Sequence, residues 1–150
     1  MPPSHSPTSS NIPGAVLNAV LLPGKLNMCH GSAQSLCARN SSKLDEIRNV
    51  LLGSKVEIAC FTESWLTSKN SDRSIGVPGY AVLRNDRASR RGGGIVVYYR
   101  QPLTCLKVFG SVLTIESVDK TKCIGLELRV CDHKILLIIV YNPPENDCTA

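Results

Sequence analysis

The run KVEIACF is apolar enough to be a buried strand, yet it leads at once into TESWL, so a carboxylate, Glu63, and an indole, Trp65, stand just beyond it. A glutamate past a buried strand is either held by local hydrogen bonds or placed to bind something. Two roles suit Glu63. As a metal ligand it needs little help, because Mg²⁺ takes oxygen ligands, keeps several waters, and is held by one or two carboxylates plus a phosphate. As a helix starter it would sit in the first turn of a short helix capped by Thr62, where negative charge is favoured. Tyr141 ends a second apolar run, KILLIIVY. Its phenol could donate to a phosphate oxygen, or it could cap a core strand with the hydroxyl in water. Finally, RNDRASRRGGG gathers Arg84, Arg87, Arg90 and Arg91 beside three glycines. Such a loop can hold nucleic-acid phosphates without reading sequence. It can equally be a solvated hairpin whose charges discourage edge pairing, with Arg87 paired to Asp86 or to an interior carboxylate.

These residues need a scaffold, and composition bounds it. A chain of 150 residues with 43% hydrophobic content can bury one core, so one domain is expected. The formal charge of +5 favours anionic partners without identifying any. The seven cysteines include no C-x-x-C pair, and several lie in apolar runs, which fits buried reduced thiols in an intracellular protein, nuclear or cytoplasmic. AVLNAVLLPG at 15–24 is too short to span a bilayer, and no Lys or Arg precedes it, so neither membrane insertion nor secretion is expected. His5 and His30 have no partner at metal spacing.

Residues 1–25, rich in Pro and Ser, read as a mobile leader, and 26–150 as the domain. KLNMCHG suggests a first strand. NSSKLDEIRNVLLG predicts a helix: Ser41 or Ser42 as N-cap, Asp45 and Glu46 in the first turn, Leu44, Ile47, Val50 and Leu51 on one face, and Gly53 as the stop. KVEIACF reads as a strand covered on both faces. TSKNSDRSIGVPG reads as a loop, and YAVLRND, GIVVYYR, LTCLKVF, CIGLELRV and KILLIIVY as strands at short intervals. Strand, helix, strand and meander predict an α+β domain with a mixed or antiparallel sheet covered by helices on at least one side. Asp132-His133, between two apolar runs, predicts a polar hairpin turn.

Four segments in order, AQSLCARNSSKLDEIRNVL, FTESWL, VPGYAVLRNDRASRRGGGIVVYYR and IIVYNPP, resemble the endonuclease/exonuclease/phosphatase superfamily. The similarity is to the apurinic-type endonuclease domain of non-LTR (LINE-like) retrotransposon polyproteins, over residues 26 to about 146. The resemblance implies a four-layer α/β-sandwich, two mixed or antiparallel sheets flanked by helices, with Glu63 as ligand to Mg²⁺ or Mn²⁺ and Tyr141 as a catalytic hydrogen-bond donor. It implies DNA as partner, contacted by Arg87, Arg90 and Arg91, and the rest of a retrotransposon polyprotein as a further one.

Departures are equally specific. Ser32, in HGSAQSL, stands where the family has a metal- or phosphate-binding asparagine, and a hydroxyl reaches a metal shell at best through water. The family's G-D-F-N and Asp-His motifs do not follow YNPP, which implies that the C-terminal half of the domain is missing and with it the general base. Asp132-His133 mimics the absent pair. A half-domain should leave Leu136 to Val140 with exposed apolar faces or edges. Three functions follow as alternatives: a metal-dependent DNA endonuclease, an inactive transposon remnant, and a basic nucleic-acid-binding module.

Overall fold

In the computed structural model, residues 17–18, 21, 24–39, 42–87, 92–101, 103–109 and 122–142 are described. Two sheets stack face to face. The first is mixed, with strands β1 (Met28–Ser32), β2 (Ile58–Thr62), β3 (Tyr80–Asn85) and β4 (Ile95–Arg100) in the order β1-β2-β4-β3. β1 runs parallel to β2, and the other pairs are antiparallel. The second is an antiparallel meander of β5 (Thr104–Phe109), β6 (Lys122–Val130) and β7 (His133–Tyr141).

A parallel neighbour requires a crossover, and helix α1 (Lys43–Gly53) supplies it between β1 and β2. Leu51 is buried, and Leu44 and Ile47 pack on the cluster built from Ala33, Leu36, Val56, Ala59, Val96 and Tyr98. Ser42 is the N-cap as expected, but its hydroxyl does not cap a backbone N–H; it donates to Glu46 Oε1 at 3.0 Å. Ser41 lies outside the described residues. At the other end, the orphan carbonyls of Leu51 and Ser54 accept from the Arg100 guanidinium, and Leu51 O also from the Tyr80 hydroxyl. Within the stretch read as a leader, Leu17 and Leu21 pack on this same cluster, and the Asn18 side chain bonds to the backbone of Gly53 and Lys55.

The face between the sheets forms a second cluster: Ile58 and Cys60 from β2, Ile95 and Val97 from β4, Ile124, Leu126 and Leu128 from β6, and Ile139 from β7. β2 is therefore covered on both faces, as its sequence predicts, and burial pushes the Cys60 thiol up to about 12. The six described cysteines are free; Cys60 and Cys123 are buried, whereas Cys37 and Cys131 are exposed.

One sequence reading changes, and the polar hairpin turn at Asp132-His133 holds. The loop before β3 contains a one-turn helix, α2 (Asp72–Ile75), whose N-cap Ser71 accepts from Ser74 N at 3.2 Å. The last hairpin turns on Cys131 and Asp132, with Cys131 at φ 53°, and His133 already pairs with Val130. Asp132 and His133 thus serve the turn and the strand start.

Candidate functional site

The chain beyond β2 does not turn into a helix. Glu63 (φ 54°) and Trp65 (φ 55°) both occupy the left-handed region, which costs an L-residue about 1–2 kcal/mol each. This overturns the reading of TESWL as a capped helical start. Backbone hydrogen bonds fix the conformation from both sides. Ser35 N donates to Glu63 O and Leu36 N to Ser64 O, both at 3.0 Å, while Trp65 N donates to Gly93 O at 2.9 Å. The segment 63–65 is thus stitched between the loop after β1 and the loop before β4.

That second loop needs its glycines. Gly92, Gly93 and Gly94 have φ of 94°, 70° and 88°, conformations that residues with a Cβ rarely adopt. They also permit close approach. A Cβ on Gly92 would lie 3.8 Å from Glu63 Oε2, one on Gly93 would lie 3.1 Å from Arg87 Cδ and 3.6 Å from Tyr141 Cε1, and one on Gly94 would come within 2.6 Å of Ser64 Oγ. Side chains from just past β2, from just past β3 and from the end of β7 therefore converge on one turn.

Glu63 is aimed by two donors on the same oxygen: the Trp65 indole N–H and, at 3.1 Å, the backbone N–H of Gly93. No other described residue bonds to the carboxylate, which leaves Oε1 for another partner. Around it, three buried polar atoms lack a partner among the described residues: Ser64 Oγ, Arg87 Nε and Tyr141 Oη. An unpaired buried donor costs about 1–3 kcal/mol, so three beside one turn mark a place that ligand atoms would complete. Tyr141 ends β7 opposite Lys122, and Asn85 ties this end of the two sheets together by donating to Cys123 O at 2.8 Å.

The remaining candidates are placed as follows. Ser32 ends β1 in register with Thr62, one residue before Glu63, and is exposed. Arg87 does not pair with Asp86. That carboxylate belongs to Arg84, which also binds Asp72 and the carbonyls of Thr67 and Asn70, so Arg84 is a strut between loops. Arg90 and Arg91 lie outside the described residues. Sequence reading missed Trp65, Ser64 and the glycine turn as parts of the site; the GGG run beside Arg87 was the available signal.

The residues suit an anion more fully than a bare cation. Arg87 and Tyr141 are donors, and among the described residues no group of three or more His, Cys, Asp or Glu side chains is gathered for a metal. Glu63 Oε1 fits as one carboxylate ligand to an ion whose other ligands are water and phosphate, the arrangement Mg²⁺ favours.

This architecture is already known from a solved structure. The chain superposes on the crystal structure of the AP endonuclease LMAP from Leishmania major with a TM-score of 0.51 and 20% sequence identity, over 75% of this chain. The two share a fold. The matched part spans 38% of the length of that endonuclease. No protein-family model and no curated protein matches the sequence. Among the described residues, no helix is long and apolar enough to cross a membrane.

Proposed function

We propose that the chain carries part of a metal-dependent phosphodiester-cleaving site that acts on DNA, of the kind found in the endonuclease domain of retrotransposon polyproteins. The observation that supports this best is the convergence of Glu63, Arg87 and Tyr141 on the Gly92-Gly93 turn, in a fold shared with an AP endonuclease. One anionic group and two unpartnered donors side by side are what a phosphodiester with a divalent ion requires.

In this reading each residue has a bounded task. Glu63, aimed by Trp65 and Gly93, holds Mg²⁺ or Mn²⁺ through Oε1. Arg87 and the Tyr141 hydroxyl bind the non-bridging oxygens of the phosphate, and because the fold already holds them, they favour the charge that builds up there during cleavage. The ion, when bound, supplies Lewis-acid polarisation of the phosphoryl oxygen. Ser32, in register with Thr62, would reach the ion at best through a water and does not replace an amide ligand. Arg90 and Arg91 extend the basic loop along the DNA backbone, and the free thiols fit an intracellular setting.

No general base is assigned among the described residues, where no group of three or more His, Cys, Asp or Glu side chains is gathered. In this reading the base comes from further polypeptide, such as the remainder of a retrotransposon polyprotein. A second reading follows from this gap, a module that binds nucleic acid without cutting it, or a remnant that has lost cleavage. Nicking of supercoiled plasmid DNA by the purified chain with Mg²⁺, run beside Glu63→Ala, separates the readings. Metal-dependent nicking that is lost in the variant supports the enzyme. Salt-sensitive DNA binding with no nicking leaves the binding module, and neither leaves the remnant.

A further inference from the structure

The inward row of β3 changes character at its last residue. Leu83 and Asn85 pair in register with Val97 and Ile95, so all four side chains leave the same face of the first sheet, the one turned toward the second. Leu83 packs on the apolar cluster between the sheets, but the next inward position holds an amide. A partly buried amide is costly without a partner. Asn85 has one in the other sheet: its Nδ2 donates to Cys123 O at 2.8 Å.

Both ends of that bond lie next to the site. Arg87 follows Asn85 by two residues. Cys123 stands opposite Val140 in the β6–β7 ladder, the residue before Tyr141. Beyond the bond the two side chains meet at one glycine, where a Cβ on Gly93 would lie 3.1 Å from Arg87 Cδ and 3.6 Å from Tyr141 Cε1. The apolar cluster also joins the sheets, through Ile95, Val97, Ile124 and Leu126 among others. Apolar contact is non-directional and tolerates sliding, whereas a hydrogen bond weakens steeply as its length and angle depart from the optimum. At this end of the sandwich the amide fixes the register that the cluster leaves loose.

We infer, granting the phosphodiester site proposed above, that Asn85 is a positioning residue: it locks the end of β6 and β7 against β3, so that the Tyr141 hydroxyl and the Arg87 guanidinium face one phosphate together. Donors held in place in advance are worth most to an anion, and a misplacement of about 1 Å removes much of that worth. Glu63 is aimed by Trp65 and Gly93, both in loops of the first sheet, so its orientation does not pass through Asn85. Asn85 therefore serves the phosphate half of the site and leaves the metal half alone. Aspartate could not replace it, because a carboxylate of the same shape would set an oxygen against the Cys123 carbonyl.

The test reads Tyr141 directly. Incorporation of 3-fluorotyrosine labels the four tyrosines, and Tyr141→Phe identifies the Tyr141 resonance. In Asn85→Ala, and further in Asn85→Asp, that ¹⁹F resonance should shift or broaden. Those of Tyr80 and Tyr98, whose hydroxyls donate to Val56 O and Ile75 O, should stay in place and report that the fold is intact. With a short labelled DNA duplex and Mn²⁺, Asn85→Ala should weaken binding about fivefold, the worth of one hydrogen bond. Adding Tyr141→Phe should then cost nothing more, while adding Arg87→Ala should still cost its own share. Mn²⁺ binding without DNA should be unchanged. A Tyr141 resonance that stays in place in both Asn85 variants, or losses at Asn85 and Tyr141 that simply add, would overturn the proposal. No DNA binding by the wild type, with the resonance moving as expected, would instead refute the phosphodiester reading and confine Asn85 to placing Tyr141.

Discussion

Glu63 follows a strand of the first sheet and Tyr141 ends a strand of the second, yet both reach the same turn: a Cβ on Gly92 would touch the carboxylate of the first, and a Cβ on Gly93 the ring of the second. Their meeting depends on three consecutive glycines with positive φ, which let the loop before β4 pass between them. A carboxylate on one side and an unpartnered phenol on the other define the chemistry of the gap.

The glycines should therefore differ in tolerance. Gly79, at φ 79° with nothing near its missing Cβ, meets only backbone strain, so Gly79→Ala should cost about 1 kcal/mol. Gly93→Ala adds contact with the flexible Arg87 side chain and should cost more. Gly94→Ala, whose Cβ would press on the buried Ser64 hydroxyl, should cost most, about 3 kcal/mol or more. Thermal unfolding checks the order, and an equal loss at all three positions would contradict it.

Stability and function should oppose each other at the unpartnered atoms. Removing a buried hydroxyl that has no partner relieves its desolvation penalty. Tyr141→Phe and Ser64→Ala are expected to raise the free energy of unfolding by about 1 kcal/mol, while Tyr141→Phe weakens phosphodiester binding. Urea titration checks the first effect; a loss of stability in both variants would show that the hydroxyls are satisfied in the folded protein.

Arg87 and Arg84 should separate cleanly although both belong to the basic loop. Arg87→Ala should lower DNA affinity across all sequences and reduce the slope of log affinity against log salt by about 1. Arg84→Ala, by contrast, breaks the bonds to Asp86, Asp72 and two carbonyls and should reduce stability. Fluorescence titrations at several salt concentrations, together with melting curves, distinguish the two.

Much of this was legible in the sequence. α1 declared itself through Asp45, Glu46 and the spacing of Leu44, Ile47 and Leu51, and β2 and the meander through apolar runs at short intervals. Glu63 stood out because a carboxylate follows a buried strand. The resemblance anticipated the fold now seen beside the AP endonuclease, and the exposure of Leu136, Ile138 and Val140. What was hidden is set by long-range contacts. The left-handed backbone at Glu63 and Trp65 comes from bonds to loops about 30 residues away on either side. Arg84 and Arg87 have the same side chain, and the positions of Asp86, Asp72, Thr67 and Asn70 make the first a strut, while Nε of the second has no partner among the described residues. α2 escaped because a single turn carries too few residues for a helical period to appear.

In the proposed site Glu63 presents a ligand oxygen to a divalent ion, with its orientation fixed by Trp65. Titrating the chain with Mn²⁺ and following the free ion by electron paramagnetic resonance tests this role. The wild type should bind one ion, more tightly when a short DNA duplex is present. Glu63→Gln should abolish this binding, and Trp65→Phe, which removes the indole N–H, should weaken it roughly tenfold or more. Binding that is unchanged in Glu63→Gln, or no binding by a folded wild-type chain with DNA present, would rule out Glu63 as the metal ligand.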